Sequence, residues 1–232
     1  MKDRFSEISD NIKRIRDEIT DTANSCGRDP SGIELIAVSK TMPSSDIELA
    51  LRAGQISFGE NRPQELVRKI GEISEKNIRW NLIGQLQKNK VKYIIMKDIL
   101  IHSLCTESTL LELDRLGRIN DTVTDCLLEV NTSGEASKSG ISENEIEEFL
   151  GKIESCGHVR LLGMMTIAPY DTKDDEARPY FDRLRRMSER YRSFFKTDRP
   201  ELSMGMSGDF RAAIKEGATM VRIGTSIFGK RQ

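Results

Sequence analysis

The sequence has few of the residues that build metal sites and disulfide frameworks, and it has no long apolar run. It contains 4 cysteines and 2 histidines in 232 residues, and no two cysteines form a C-x-x-C pair. We therefore expect neither a metal cage nor a disulfide framework. The N-terminal residues lack the apolar core of a signal peptide, and no apolar run reaches the length of a membrane span. These absences predict a cytoplasmic protein with no membrane partner.

A net charge of either sign is also missing. The chain has 36 Lys and Arg residues against 37 Asp and Glu residues, so no overall field recruits nucleic acid or an anionic surface. The three lysines within residues 88–92 lack interleaved aromatic residues and are more typical of a solvated helix face than of a nucleic-acid site. No surplus apolar helix face is evident, which predicts a monomer. Any partner is therefore expected to be recognised by a local site.

What the sequence does contain is a regular alternation of short apolar runs with longer amphipathic segments. Gly, Ser, Thr, Asn or Pro marks each transition, a pattern typical of βα units. The predicted strands are 33–39, 55–59, 79–84, 99–104, 125–131, 160–166, 202–206 and 220–224. The predicted helices between them are 45–53, 62–74, 88–96, 107–119, 143–155, 174–195 and 209–216. Capping boxes are predicted at 45–48 and 142–145.

A further helix precedes the first strand. Apolar residues recur there at steps of three and four, from Phe5 through Ile8, Ile12 and Ile15 to Ile19, which gives the segment one apolar face. Eight strands alternating with helices, without a linker or a change in composition, predict a single (β/α)8 barrel of the TIM type. We expect residues 1–232 to form this one domain, an α/β fold with an extra N-terminal helix.

Lys40 is the first candidate for chemistry, because function in such barrels gathers at the C-terminal ends of the strands. Lys40 directly follows the first predicted strand, and strand alternation places it on the same side as Ile36 and Val38, at the barrel mouth. A partly desolvated lysine there supplies the neutral amine that attacks an aldehyde. A loop lysine that only faces solvent fits the same position, so a second observation is needed.

The last two βα turns supply that observation. Ser207, Gly224 and Thr225 follow the seventh and eighth strands, where barrels commonly bind phosphate through backbone N–H groups and hydroxyls. Ser207 is also predicted to be the N-cap of the next helix. Arg222 adds a planar cation suited to phosphate oxygens, although a structural carboxylate is an alternative partner. A lysine beside a phosphate cradle indicates a phosphorylated carbonyl ligand, and both pyridoxal phosphate and sugar phosphates qualify.

Several motifs, taken in order, now make the sequence recognisable. They are AVSK at 37–40, FGEN at 58–61, IGQLQKNK at 83–90, EVN at 129–131, GMMTIAP at 163–169, LSMGMSGDF at 202–210 and VRIGTSIFG at 221–229. With these motifs the chain resembles the pyridoxal 5′-phosphate (PLP) homeostasis proteins over almost its whole length. The fold of that family resembles the N-terminal barrel domain of alanine racemase, which is PLP fold type III.

The resemblance implies a set of cofactor-binding residues and a function. It implies that PLP is bound as an internal aldimine on Lys40, that Ser207, Gly224, Thr225 and Arg222 hold the phosphate, and that Asn61 lies beside the ring. Met206 either contacts the ring or fills the core, and Lys138 provides a second amino group near the mouth. The implied function is vitamin B6 homeostasis, in which the protein buffers PLP or delivers it to PLP-dependent apoenzymes. No catalytic residue is assigned. Asn81 stands where the family usually has histidine.

Two enzymatic alternatives stay open. A weak PLP-dependent amino-acid racemase needs acid and base groups on both faces of the substrate Cα, and Tyr170 is the tyrosine best placed to be the second base. A lysine-dependent sugar-phosphate aldolase would use the same lysine and phosphate cradle. His102 lies within an apolar strand and is expected to be a hydrogen-bonded core residue rather than a base.

Overall fold

The computed structural model describes residues 3–135, 138–169, 172 and 174–229, and its centre is a closed barrel of eight parallel strands. Each strand pairs with the next one along the chain, and the eighth pairs with the first. The strands are β1 Glu34–Val38, β2 Ser57–Glu60, β3 Arg79–Leu82, β4 Ile99–Leu104, β5 Thr124–Glu129, β6 Val159–Met165, β7 Glu201–Ser203 and β8 Met220–Ile223. The predicted (β/α)8 barrel is therefore confirmed.

Helices form most of the connections and surround the barrel. They are α1 Arg4–Ser25, α2 Ser44–Arg52, α3 Pro63–Glu72, α4 Glu107–Asn120, α5 Ile146–Glu154, α6 Asp174–Arg190, α7 Phe210–Lys215 and α8 Thr225–Phe228. Short 3₁₀ helices lie at Pro30–Gly32, Lys88–Tyr93, Glu143–Glu145 and Arg192–Phe194. Within the described residues, no helix is both long enough and apolar enough to cross a membrane.

The predicted N-terminal helix is confirmed as α1, which packs against α2, α7 and α8. Its isoleucines at 8, 12, 15 and 19 are buried on one face, as the spacing predicts. Asp3 caps its N-terminus, where the side chain accepts a hydrogen bond from the Ser6 backbone N–H at 2.8 Å. Arg4 then reaches the carboxylate of Asp46 at 2.5 Å and the backbone carbonyl of Phe228 at 2.9 Å. These bonds join α1 to α2 and to α8.

Two apolar clusters form the core. The larger lies between the outer faces of the strands and the helices, and the smaller contains Ile36, Leu127, Met165 and Met220. Because side chains alternate across a strand and the neighbours of Ile36 pack into the larger cluster, the smaller cluster lies inside the barrel. Polar side chains fill much of the remaining interior, and they belong to the site described below.

Three local predictions are wrong. The segment predicted as a helix at 88–96 is a 3₁₀ helix over Lys88–Tyr93. The capping box predicted at 45–48 is absent, because α2 begins one residue earlier with Pro43 at the N-cap. The seventh strand ends at Ser203 instead of reaching residue 206, since the chain turns at Gly205 with a φ of 92°. The capping box at 142–145 is confirmed, with Ser142 and Glu145 bonded reciprocally.

Candidate functional site at the barrel mouth

The strand order brings the predicted site residues to adjoining positions at one end of the barrel. Strands β7, β8, β1 and β2 are consecutive neighbours, and their C-terminal ends share one rim. The predicted residues on this rim are Lys40 after β1, Asn61 after β2, Met206 and Ser207 after β7, and Gly224 and Thr225 after β8, while Arg222 lies within β8. Thr225 is exposed, Arg222 is buried and the other five are half-buried. These residues therefore occupy one continuous arc of the mouth.

Two glycines allow the turns on this arc to approach one another closely. A Cβ atom on Gly224 would lie 3.2 Å from the Val38 carbonyl oxygen, two residues before Lys40. A Cβ atom on Gly84 would lie 2.3 Å from the Asn61 carbonyl oxygen, which is a steric clash. The turn after β8 thus packs against the end of β1, and the turn after β3 packs against Asn61.

Asp209 shapes the turn that carries Met206 and Ser207. Its Oδ1 atom accepts a hydrogen bond from the Met206 N–H at 2.6 Å, which folds the turn back on itself. Burial raises the pKa of the Asp209 carboxyl, and the Met206 N–H opposes that shift. Asp209 also occupies the N-cap position of α7, so the prediction that Ser207 caps this helix is wrong. The hydroxyl of Ser207 is therefore not required for capping.

Arg222 lies inside the barrel, only 4% exposed, beneath the turns of the arc. Its guanidinium donates to the Ser203 hydroxyl at 2.5 Å and to the Thr166 carbonyl at 2.8 Å. Burial lowers the pKa of Arg222 to about 10, and the carboxylates of Asp209 and Glu129 oppose that shift. An arginine has five N–H donors, so these two contacts leave donors for a ligand at the mouth.

The hydrogen-bonded row that starts at Arg222 continues across the barrel interior. Ser203 Oγ lies 2.8 Å from His102 Nδ1, and His102 Nε2 lies 3.0 Å from Asn81 Oδ1. Asn81 Nδ2 in turn donates to the Ser57 hydroxyl at 3.0 Å. His102 is therefore a buried, hydrogen-bonded core residue, as predicted. Asn81, the residue that departs from the family pattern, is its partner and is itself buried.

The burial of His102 predicts a measurable dependence of stability on pH. Burial, reinforced by the positive charge of Arg222, holds the pKa of His102 well below its usual range. As pH falls below about 6.5, the unfolded chain binds a proton that the native histidine does not, so the native state loses stability. We expect the free energy of unfolding to fall by about 1.4 kcal/mol per pH unit from this group alone. Urea unfolding at pH 7.5 and pH 5.0, for the wild type and His102→Gln, measures it.

The comparison between those two proteins isolates the histidine. Burial raises the pKa of the carboxyls of Glu60, Glu129 and Asp209, and these groups titrate in both proteins, so their contributions largely cancel in the difference. The stability advantage of the wild type over His102→Gln should shrink by about 2 kcal/mol between pH 6.5 and pH 5.0. A difference that stays constant with pH would contradict a neutral buried His102.

Two buried acidic residues near the mouth were not singled out as site residues from the sequence. Glu129 ends β5, and its Oε2 atom has no hydrogen-bond partner among the described residues. Burial raises its pKa, while Arg222 and the Cys105 thiol oppose the shift. Glu60 ends β2, and its Oε2 atom is also unpartnered in the described part of the chain. Each residue ends a strand and lies in one of the motifs quoted above, FGEN at 58–61 and EVN at 129–131.

Cys105 lies beside Glu129 and shows no sign of a reactive thiol. Burial, reinforced by the Glu129 carboxylate, raises the pKa of Cys105 to about 11. The thiol therefore stays protonated at neutral pH, and a thiolate nucleophile is not expected at this position.

Lys138 is half-buried, and its backbone N–H donates to the Glu135 carbonyl at 3.0 Å. Tyr170, the predicted second base of a racemase, lies outside the described residues.

The groups on the arc match a phosphorylated aldehyde. Lys40 offers a primary amine, Ser207 and Thr225 offer hydroxyls, and Arg222 offers a buried cation beneath them. The absence of a side chain on Gly224 lets the turn after β8 lie directly against the end of β1, close to Lys40. An anionic group needs such donors, and an aldehyde needs an amine to condense with. The residues present therefore fit PLP in chemical type.

Comparisons with known proteins show what the chain is similar to. The family model described as "Alanine racemase, N-terminal domain" matches residues 5–232. The chain is 38% identical over 221 residues to the pyridoxal phosphate homeostasis protein of Aquifex aeolicus, covering 95% of this chain and 97% of that one.

Two solved structures extend the comparison. PipY of Synechococcus elongatus, solved with PLP bound, is 30% identical, with a TM-score of 0.82 over 96% of this chain and 100% of that chain. Alanine racemase of Corynebacterium glutamicum is 15% identical, with a TM-score of 0.69, and the match covers 98% of this chain and 61% of the racemase. At that identity the second likeness supports the fold alone.

Proposed function

Because the chain belongs to the pyridoxal phosphate homeostasis proteins, within the family of the alanine racemase N-terminal domain, we propose that it binds PLP at the barrel mouth and serves PLP homeostasis. The observation that carries the proposal is PipY, which has PLP bound and shares the fold at 30% identity over 96% of this chain. The arc of Lys40, Asn61, Met206, Ser207, Gly224 and Thr225, with Arg222 beneath it, supplies the groups that such a ligand needs.

Lys40 is the residue to which the aldehyde carbon becomes attached in this proposal. Its neutral amine adds to the carbonyl carbon, the carbonyl oxygen leaves as water, and a Schiff base forms. The position supports this role, because Lys40 is half-buried in the turn after β1. Only the neutral form of that amine can attack the aldehyde carbon.

The phosphate is held by the turns after β7 and β8. Ser207 and Thr225 offer hydroxyl groups, and the first N–H groups of a helix have no acceptor within the helix, which makes the backbone at Gly224 and Thr225 available. Arg222 contributes its charge from below through the donors that Ser203 and Thr166 leave free. In this proposal Asn61 and Met206 contact the ring. This arrangement orients the aldehyde toward Lys40.

The physiological role that follows is reversible storage and delivery of PLP. A Schiff base is hydrolysed by water or displaced by another amine, so a cofactor held on Lys40 can leave intact. Free PLP is a reactive aldehyde, and binding it lowers its concentration while keeping it available for PLP-dependent apoenzymes. A weak amino-acid racemase remains the alternative, and it requires exchange of the substrate Cα proton with solvent.

Titration of the purified protein with PLP, followed by visible absorption, tests the proposal. We expect a Schiff-base band that saturates, and borohydride reduction should fix the cofactor on the peptide that contains Lys40. Incubation of the loaded protein with L-alanine in deuterated water should leave the Cα proton unexchanged, whereas exchange would favour the racemase. No band and no adduct would refute PLP binding on Lys40, and a trapped imine with a ketose phosphate would then indicate an aldolase.

A further inference from the structure

A fully buried lysine on α3 contacts the backbone beside Lys40. The Lys69 side chain has no solvent exposure, and its Nζ atom donates to the Ser39 carbonyl at 2.8 Å, to Glu60 Oε1 at 2.7 Å and to Glu65 Oε1 at 2.8 Å. An ammonium group has three N–H donors, and the three acceptors match them. Lys69 is therefore saturated by its protein contacts and has no donor left for a ligand.

The two carboxylates of this cluster hold the same short segment from other directions. Glu65 Oε1 accepts the Thr41 N–H at 2.8 Å, and Glu60 Oε1 accepts the Ser39 hydroxyl at 2.7 Å. We call Lys69, Glu60 and Glu65 the clamp. The two residues that flank Lys40 are thus bonded to the clamp. Ser39 is bonded through its carbonyl and its hydroxyl, and Thr41 through its N–H. The clamp fixes the peptide units that flank Lys40.

Thr41 needs such support, because its backbone lies in the left-handed region with a φ of 68°. A β-branched residue rarely adopts this conformation, and it persists only where surrounding contacts enforce it. The hydrogen bond from the Thr41 N–H to Glu65 is one of those contacts. Glu65 therefore helps to hold the strained backbone of Thr41, directly after the proposed reactive lysine.

The composition of the clamp argues against a purely stabilising role. Burying a lysine with carboxylates seldom stabilises a protein more than apolar residues of similar volume would, since removing the charges from water is costly. Glu60 and Lys69 are both fully buried. Apolar side chains in their place would bond neither the Ser39 carbonyl nor the Thr41 N–H. Orientation of the backbone is what the charged groups add.

We propose that the clamp is a positioning device for Lys40, which fixes the backbone on both sides of that residue so that its amine meets the aldehyde carbon in a reactive orientation. This inference rests on the proposed function, because it presupposes that Lys40 forms the Schiff base. Lys69, Glu60 and Glu65 are positioning residues, since they bond the backbone of Ser39 and Thr41, the Ser39 hydroxyl and one another.

The test separates formation of the covalent bond from binding of the ring and phosphate. Pyridoxine 5′-phosphate lacks the aldehyde, so its affinity measures the mouth without Schiff-base formation, and stopped-flow absorption with PLP measures the bond-forming step. Two proteins disrupt the clamp. Glu65→Ala removes the acceptor for Thr41, and the double variant Lys69→Met/Glu60→Gln removes one charge of each sign. Glu65→Gln keeps a carbonyl oxygen at the same position.

We expect the rate of Schiff-base formation to fall about tenfold or more in both disrupted proteins, because small errors in position slow a reaction strongly. Pyridoxine 5′-phosphate should bind within about twofold of wild type, and Glu65→Gln should restore the rate. Hydrogen exchange of the unloaded proteins should show faster exchange at Thr41 in Glu65→Ala. The control Lys152→Met/Glu148→Gln removes a surface pair four residues apart on α5 and should leave every readout unchanged.

Two results would overturn the clamp as a positioning device. One is an unchanged rate in the disrupted proteins, and the other is an equal loss of pyridoxine 5′-phosphate affinity, which would indicate general collapse of the mouth. A wild-type protein that forms no Schiff base would refute the proposed function itself. A normal wild-type band with unaffected clamp variants would refute the clamp alone.

Discussion

Lys40→Ala should abolish the covalent attachment of PLP. The substitution removes the amine that directly follows β1, so we expect neither a Schiff-base absorption band nor a borohydride-stable adduct on that peptide. The ring and phosphate contacts remain, so binding should persist without the covalent bond. If that bond contributes about 3 kcal/mol, the affinity for PLP should fall about a hundredfold. Equilibrium dialysis and mass spectrometry after reduction measure the two effects.

Lys40→Arg and Lys13→Ala are the matched controls for this result. Lys40→Arg keeps a positive charge but has no amine able to condense with an aldehyde under these conditions, so it should lose the adduct as alanine does. Lys13 is exposed on α1, and its replacement should leave both the band and the adduct intact. A stable adduct on another lysine in Lys40→Ala, formed with the wild-type affinity, would contradict the assignment.

The sequence predicts the barrel well because strand periodicity and βα transitions are local signals. All eight strands exist near their predicted positions, and 99–104 matches β4 at both ends. The rim residues follow from the same information, since the C-terminal end of a parallel strand always faces one side of the barrel. Lys40 could thus be placed at the mouth from alternation alone.

The clamp could not be predicted in this way, because it depends on contacts between segments that are distant in sequence. Glu65 and Lys69 are four residues apart on a predicted helix, and this spacing is usually that of a solvated ion pair. Nothing local indicates that Lys69 reaches the Ser39 carbonyl, which is 30 positions away. The burial of this lysine follows from the packing of α3 against β2 and β3, which brings Lys69 to Glu60 and to the turn after β1.

Local signals also fail where two residues compete for one role. Ser207 has the composition and the spacing of an N-cap, but Asp209 takes the position and bonds back to the Met206 N–H. A local signal also fails at Lys88–Tyr93, for a different reason. The apolar spacing there resembles that of an α-helix, but the segment forms a 3₁₀ helix. Such outcomes depend on tertiary packing, which periodicity does not contain.

Arg222 connects the stability of the barrel to its mouth. Its guanidinium bonds Ser203 and Thr166, and its charge opposes the unfavourable burial of Glu129 and Asp209. Arg222→Met keeps most of the volume but leaves two buried acceptors without their donor and two carboxyls without a nearby cation. Removing one partner of a buried charge network typically costs about 3–5 kcal/mol. We therefore expect the free energy of unfolding to fall by about 3 kcal/mol or more at neutral pH.

Urea unfolding of Arg222→Met and of Arg186→Met gives the decisive comparison. Arg186 on α6 is paired with Asp182 at 2.9 Å, but its side chain is 73% exposed, and exposed pairs contribute about 1 kcal/mol or less. The same substitution should therefore have a small effect at Arg186 and a large one at Arg222. The deficit of Arg222→Met should lessen as pH falls toward 5, because Glu129 and Asp209 take up protons and no longer need the cation. Equal losses at the two positions, or a deficit that grows toward pH 5, would show that the buried charge of Arg222 is not what stabilises the barrel interior.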